Sequence, residues 1–105
     1  MTAPHIRKEN AAVTDIDVYT EKQRLVALVA SAVLNRLDET GITHADLARR
    51  IGWQEGRVYQ VLCGSHPMTL KDMALLALGC GFTWDVQPYE DPAAIKAANG
   101  EEASS

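Results

Sequence analysis

One stretch of the sequence decides the fold: residues 43–64 read THADLARRIGWQEGRVYQVLCG. Its first four residues, Thr43-His44-Ala45-Asp46, fit a capping box, in which a hydroxyl and a carboxylate satisfy the free N–H groups at a helix start. Apolar residues follow at helical spacing, namely Leu47, Ala48 and Ile51. Gly52 can then end the helix in the left-handed conformation. The stretch therefore predicts a short helix that begins after Thr43 and ends at Gly52.

A second short helix is predicted from about Gln54 to Cys63, with Gly64 at its end. Its apolar side consists of Val58, Val61 and Leu62, and its outward side presents Glu55, Gly56, Arg57, Tyr59 and Gln60. Ala48 and Gly52 are small enough for the two helices to cross closely, and Trp53 and Val58 are predicted to anchor the second helix from beneath. The pair thus presents one polar helix face on a fixed support.

The flanking sequence predicts further helices and two strands. A helix is expected from Glu21 to Asp38, because apolar residues at 25, 28, 29, 33, 34 and 37 form one stripe, which we assign to the core. Thr69-Leu70-Lys71-Asp72 repeats the cap pattern and starts a helix that ends at Gly79 or Gly81. Short, partly alternating segments at Val13–Thr20 and Phe82–Gln87 are typical of strands.

These elements predict a mainly α fold: four or five helices around one core, with a short β-strand near each end. We divide the chain into an arm with a strand at 1–20, a helical domain at 21–89 and an acidic tail at 90–105. The tail is expected to be mostly disordered, with at most a short helix at Ala93–Ala98. If two copies pair through exposed strands, Phe82, Trp84 and Val86 are the predicted interface.

The net charge of −4 is unevenly distributed. Residues 21–84 hold seven Lys and Arg against six Asp and Glu, whereas residues 85–105 hold one Lys against five acids. The acid excess therefore lies in the tail, and the middle keeps a local group of basic residues, as a phosphate-binding surface requires.

Other classes of function find little support in the sequence. It lacks the run of ~18 apolar residues that a membrane span needs and a signal-type segment, so a soluble cytoplasmic protein is expected. Cys63 and Cys80 are too few and too far apart for a zinc site. We expect both to be small buried residues, with a disulfide as the alternative. Ser65 and His66 are adjacent rather than convergent, so we expect neither catalysis nor a cofactor.

The quoted stretch resembles the Cro/repressor-type (XRE-like) helix-turn-helix family. The resemblance rests on Thr43–Gly52, then Val58, Val61 and Gly64, and it extends more loosely over residues 22–84. It implies a sequence-specific regulator of transcription, most often a repressor, that binds pseudo-palindromic double-stranded DNA as a homodimer.

The resemblance also implies which residues meet DNA. Glu55, Gly56 and Gln60 take the main base-reading positions, and Gln54 opens the same helix. Arg57 lies beside them and would contact a base or a phosphate. Contacts to phosphate or support of the readers are implied for the others, which are His44, Arg49, Arg50, Tyr59, Ser65, His66 and Lys71. Phosphate contacts would position the protein, and base contacts would give specificity.

A second hypothesis stays open. The same scaffold serves as a protein-interaction module or as an antitoxin, whose acidic tail would cover a basic partner. Arg49, Arg50 and Arg57 would then be a solvated helix face. Salt dependence separates the two hypotheses, because phosphate contacts weaken steeply with salt.

Overall fold

The computed structural model describes residues 11–100, and these residues are mainly helical. Five helices occur in this range, which are α1 (Asp15–Thr40), α2 (His44–Ile51), α3 (Glu55–Leu62), α4 (Leu70–Cys80) and α5 (Pro92–Asn99). The mainly α prediction is confirmed. No strand is present among residues 11–100, so the two strand predictions, Val13–Thr20 and Phe82–Gln87, are wrong.

The same Thr-x-x-Asp pattern starts three of these helices. The predicted boxes at α2 and α4 are both present, with Thr43 paired to Asp46 and Thr69 paired to Asp72. A third box, which the sequence analysis missed, starts α1: Thr14 Oγ accepts from Asp17 N at 3.1 Å, and Asp17 Oδ2 accepts from Thr14 N at 2.9 Å. This box explains why Val13–Thr20 is not a strand, since α1 begins at Asp15 rather than at Glu21.

The core lies where α1, α2, α3 and α4 meet. Each helix contributes side chains to it, and the largest fully buried ones are Val33, Leu47, Val58, Val61, Leu76 and Cys80. The predicted stripe of α1 is only partly core: Val29, Val33 and Leu37 are buried, whereas Leu25, Leu28 and Leu34 are exposed. The predicted stripe therefore contains more positions than α2, α3 and α4 can cover on this helix.

Residues 82–87 follow α4 without forming a strand, although the predicted alternation of apolar and polar residues is real. Phe82 and Trp84 pack against the core, with their rings in an edge-to-face arrangement at 5.0 Å. Trp84 Nε1 also donates to the Met73 carbonyl at 2.8 Å. Because both rings pack against the core, they do not form the exposed strand edge that was predicted to pair with a second copy. Of the three predicted interface residues, only Val86 is exposed.

The described residues fall into two compact units. One covers Gln23–Val86 and contains the core. The other comprises, among the described residues, 11–22 and 87–100, and it includes the start of α1 and the whole of α5. Residues 1–10 of the predicted arm and 101–105 of the predicted tail lie outside the described residues.

Within the predicted tail, residues 92–99 form α5, close to the short helix expected at Ala93–Ala98. In α5, the Asp91 side chain accepts from Ala93 N at 3.0 Å, Pro92 occupies the first turn, and Gly100 ends the helix in the left-handed conformation. These local signals outweigh the small amount of apolar surface. Within residues 11–100, no helix is long and apolar enough to cross a membrane.

Candidate nucleic-acid interface

The helices α2 and α3 form a compact pair joined by a short turn. Gly52 has φ of 77°, in the left-handed region, and its N–H bonds to the Ala48 carbonyl. Trp53 N donates to the same carbonyl at 2.9 Å, so the turn closes directly on α2. Leu47 of α2 and Val58 of α3 are fully buried beneath this turn. The angle between the helices is therefore fixed by both backbone bonds and core packing.

One side of α3 is open to solvent. Glu55, Gly56, Tyr59 and Gln60 are all exposed, and we call these four residues the outer face of α3. The buried side chains Val58, Val61 and Leu62 lie on the opposite side of the helix. Three of these four residues, Glu55, Gly56 and Gln60, have the predicted base-reading positions, and they lie together on one exposed surface.

An aromatic stack joins the start of α2 to this outer face. The rings of His44 and Tyr59 are parallel to within 3°, with their centroids 4.3 Å apart. Tyr59 remains 52% exposed, so one face of the stack is accessible. The stack restricts the Tyr59 ring without burying it, which makes it a fixed part of the surface.

Arg57 points toward α4 instead of along the outer face. Its guanidinium lies 4.5 Å from the centre of the Trp53 ring, in a cation–π arrangement. Its Nη2 donates to Asp72 Oδ1 at 3.4 Å, and Asp72 is buried at the start of α4. Asp72 therefore has two roles, as the cap of α4 and as the partner of Arg57, and only the first can be predicted from the sequence.

The other two predicted arginines also have partners within the chain. Arg49 forms an exposed ion pair with Asp46, one helical turn earlier. Together with the Thr43 N–H, which has the larger effect, Arg49 keeps the pKa of Asp46 below its ordinary value. Arg50 Nη1 donates to the Gly79 carbonyl at 3.0 Å, near the end of α4. Arg50 therefore links α2 to α4, a role that the sequence gave no means of predicting.

A cleft lies beside α3 and collects further predicted residues. Its lining includes Trp53, Arg57, His66, Thr69, Lys71 and Asp72. His66 and Lys71 are exposed. The cleft thus places two basic side chains and an imidazole next to the outer face of α3.

Gln54 and Ser65 occupy the two ends of α3. Gln54 is the N-cap residue, but its side chain makes no capping hydrogen bond within the described chain. Ser65 Oγ donates to the Gln60 carbonyl at 3.2 Å, and Ser65 N and His66 N donate to the same oxygen. The Ser65 hydroxyl therefore closes the end of the helix, whereas the sequence analysis gave it a phosphate contact.

The two cysteines differ, and both are free thiols. Cys80 is buried as predicted, and burial raises its thiol pKa. Cys63 is exposed, so its predicted burial is wrong: it follows Gln60 on the outer side of α3. Its Sγ lies 3.0 Å from Ser65 Oγ, and hydrogen bonding by Ser65 lowers the Cys63 pKa.

Comparisons of the chain with protein-family models, with curated proteins and with solved structures gave no match. Among residues 11–100, no three His, Cys, Asp or Glu side chains cluster as metal ligands would.

Proposed function

We propose that this chain is a sequence-specific DNA-binding regulator of transcription, acting as a repressor, and that α2 and α3 are its helix-turn-helix. One observation carries the proposal: α3 is held rigidly by α2 while its outer face stays open. An α-helix fits the major groove of B-DNA, where its side chains meet base edges. Gln60 and Glu55 are side chains that recognise adenine and cytosine there.

The basic residues around α3 supply the phosphate contacts of the proposal. Lys71 and His66 line the cleft next to the outer face, and Arg49 is exposed on α2. Arg57 lies between the outer face and the cleft, where a phosphate would compete with Asp72 for its guanidinium. This set is small, so we expect modest affinity per chain. A homodimer on a pseudo-palindromic operator, with half-sites ~34 Å apart, would double the contacts.

The second candidate function is binding to a protein partner, as an antitoxin binds its toxin. One observation favours it: Arg49, Arg50 and Arg57 each bond within the chain, which lowers their availability to phosphate. Exposed Leu25 and Leu28 on α1 would also suit a protein contact. An apolar contact of this kind would depend little on salt.

The test is selection of bound duplexes from a random DNA pool at ~50 mM salt, followed by affinity measurements up to ~200 mM. Sequence-specific regulation predicts an enriched site and a steep loss of affinity with salt. Gln60→Ala should lose preference at one base pair, whereas Gln23→Ala, the same change on exposed α1, should not. The slope of log affinity against log salt concentration should become smaller by about one in Lys71→Ala, whereas Lys22→Ala should leave this slope unchanged.

Two results would contradict the proposal. No binding to any duplex at ~50 mM salt, where phosphate contacts are strong, would favour the protein partner. Equal binding to all duplexes, with Gln60→Ala indistinguishable from Gln23→Ala, would leave a DNA-binding protein without sequence readout by α3.

A further inference from the structure

The helix α4 is apolar on every side after its first turn. Residues 73–80 read MALLALGC, which contain no charged side chain, hydroxyl or amide. Leu76 and Cys80 pack in the core and are buried. Leu70 and Leu78, at 82% and 71%, are the two most exposed leucines among the described residues. A helix that is apolar all round is normally buried all round, so the exposed side of α4 is an unusual surface.

The exposed apolar residues of α4 form one ridge. Leu70, Ala74 and Leu78 are four residues apart, so their side chains lie on the same face of the helix. All three are exposed, and we call them the leucine ridge. Rows of this i, i+4 type are the surfaces through which helices most often pack against each other. Because it is exposed, the leucine ridge is a helix-packing surface that no part of the described chain covers.

The chemistry of the leucine ridge limits the kind of partner that fits it. None of its three residues carries a charge, so it offers no ion pair to a nucleic-acid phosphate. Binding in an anionic membrane surface depends on Lys and Arg flanking an apolar helix face, and Lys71 is the one basic residue of α4. An apolar helix is the partner that matches an uncharged ridge.

The leucine ridge is complementary to itself. Ala74 lies at its centre, with a leucine four residues before it and another four residues after it. If two copies of α4 cross antiparallel at Ala74, Leu70 of one copy meets Leu78 of the other, twice. The small alanine side chains let the two backbones approach at the crossing point. A two-fold interface requires a patch of this self-complementary kind, and two i±4 ridges pack with their axes at about −50°.

We infer that the leucine ridge joins two copies of this chain into a homodimer, through antiparallel contact of their α4 helices. The inference deepens the proposed function and rests on it for the role of the dimer on DNA, whereas the pairing itself is measured without DNA. The ridge is one helix wide, so its contact area lies below the ~800 Å² per copy of a standard interface. The dimer is therefore weak, with a dissociation constant in the micromolar range.

Sedimentation equilibrium of the full chain tests the pairing. Concentrations from ~1 µM to ~1 mM span the dissociation constants of small interfaces, and the native protein should change from monomer to dimer in this range. Leu78→Glu should weaken association at least about a hundredfold, because the interface would then hold two unpaired carboxylates. Leu28→Glu is the matched control. Leu28 is an exposed leucine on α1, outside the leucine ridge, so its replacement should leave association unchanged.

Disulfide crosslinking tests the antiparallel register. In a Cys63→Ser background, which removes the exposed natural thiol, Ala74→Cys should form a disulfide dimer under oxidation by diamide. Leu70→Cys should not link to itself, because the two copies of residue 70 would lie ~12 Å apart along the helix axis. Mixed with Leu78→Cys, it should give the mixed disulfide. Ser31→Cys, which is exposed on α1, should remain unlinked.

Melting temperatures measured at ~1 µM separate loss of pairing from loss of folding. Because Leu78 is exposed, Leu78→Glu should melt close to the native protein at this concentration. A native chain that stays monomeric at ~1 mM would overturn the inference and assign the leucine ridge to a different protein. A dimer that Leu78→Glu does not weaken, or a chain that crosslinks equally at Ala74→Cys and Ser31→Cys, would also overturn it.

The outcomes also separate this inference from the proposed function. If the native protein dimerises through the leucine ridge but selects no duplex, the pairing stands and the proposed function fails. If it selects a duplex but neither associates nor crosslinks through α4, the proposed regulator stands and the inference is overturned.

Discussion

The helices α2 and α3 are both eight residues long, yet they are stabilised in different ways. In α2, a capping box closes the start, a left-handed glycine closes the end, and both arginines have partners. In α3, the N-cap side chain makes no capping bond within the described chain, a glycine lies inside the helix, and one face is open. Both helices bury apolar side chains, but α2 also has a capped start, whereas the start of α3 depends on burial alone.

This difference suits the two tasks in the proposed function. A helix of eight residues is marginal by itself in water, so α3 depends on the three apolar side chains that it buries. Its outer face is then free to carry residues chosen for contact, including one that weakens the helix. The supporting helix carries capping signals at both ends, whereas the contacting helix has them only at its C-terminal end, at Gly64 and Ser65.

The largest expected effect comes from removing burial under α3. Val58 is fully buried, so Val58→Ala should lower the free energy of unfolding by roughly 2 kcal/mol, through lost burial and the cavity left behind. Val86→Ala is the matched control, since Val86 is 80% exposed and should change stability by less than about 0.5 kcal/mol. Urea denaturation measures both, and equal effects would contradict the proposed dependence of α3 on burial.

The two helix glycines should respond to alanine in opposite directions. Gly79→Ala should destabilise the protein by about 1–3 kcal/mol, because its new methyl overlaps Leu47 and Ile51. Gly56→Ala should stabilise it by about 0.5–1 kcal/mol, because its methyl meets open space. Melting temperatures are enough to rank the three proteins. A destabilised Gly56→Ala would mean that the fold itself needs this glycine.

The N-cap residues of α2 and α3 should also contribute differently to the stability of the fold. Thr43→Ala removes a side chain that accepts from Asp46 N at 3.0 Å, so it should lower stability by about 1 kcal/mol. Gln54→Ala alters the corresponding position of α3, where the side chain makes no capping bond within the described residues, and should have little effect. Comparable losses in the two variants, measured by urea denaturation, would remove the distinction between α2 and α3.

The smallest expected effect is a pH dependence in the cap of α2. The folded-state pKa of Asp46 is lowered, first by the Thr43 N–H and then by Arg49. This carboxylate therefore stabilises the fold above its unfolded pKa, and its contribution is lost as pH falls toward the lower folded value. Asp46→Asn should melt below the native protein at pH 7, and the gap should narrow toward pH 3. A gap independent of pH would show that charge on Asp46 is not involved.

Sequence patterns predicted the helices where local chemistry decides the structure. The capping boxes at Thr43 and Thr69 and the left-handed glycine at 52 are present as expected. The short alternation at Val13–Thr20 favours a strand, but Thr14-Asp15-Ile16-Asp17 has the same box pattern and starts a helix instead. Extended structure at residues 82–87 needed a partner strand to become a sheet, and the described chain provides none.

The candidate site was predictable as a surface but not as a set of contacts. The exposure of Glu55, Gly56 and Gln60 follows from the helical positions of Val58, Val61 and Leu62. The partners of Arg50 and Arg57 lie 29 and 15 residues away, so only the packing of α4 reveals them. The stack of His44 on Tyr59 likewise depends on how α2 and α3 cross.

The contrast between the two thiols has a practical consequence. Cys80 is buried with a raised pKa, whereas Cys63 is exposed with a lowered pKa at the end of α3. Thiolates are the form that reacts with maleimides, so the unmodified chain should accept one fluorophore, at Cys63, before any label reaches Cys80. The natural sequence thus provides an attachment point for a reporter dye beside the outer face of α3, where any approaching molecule would alter its emission.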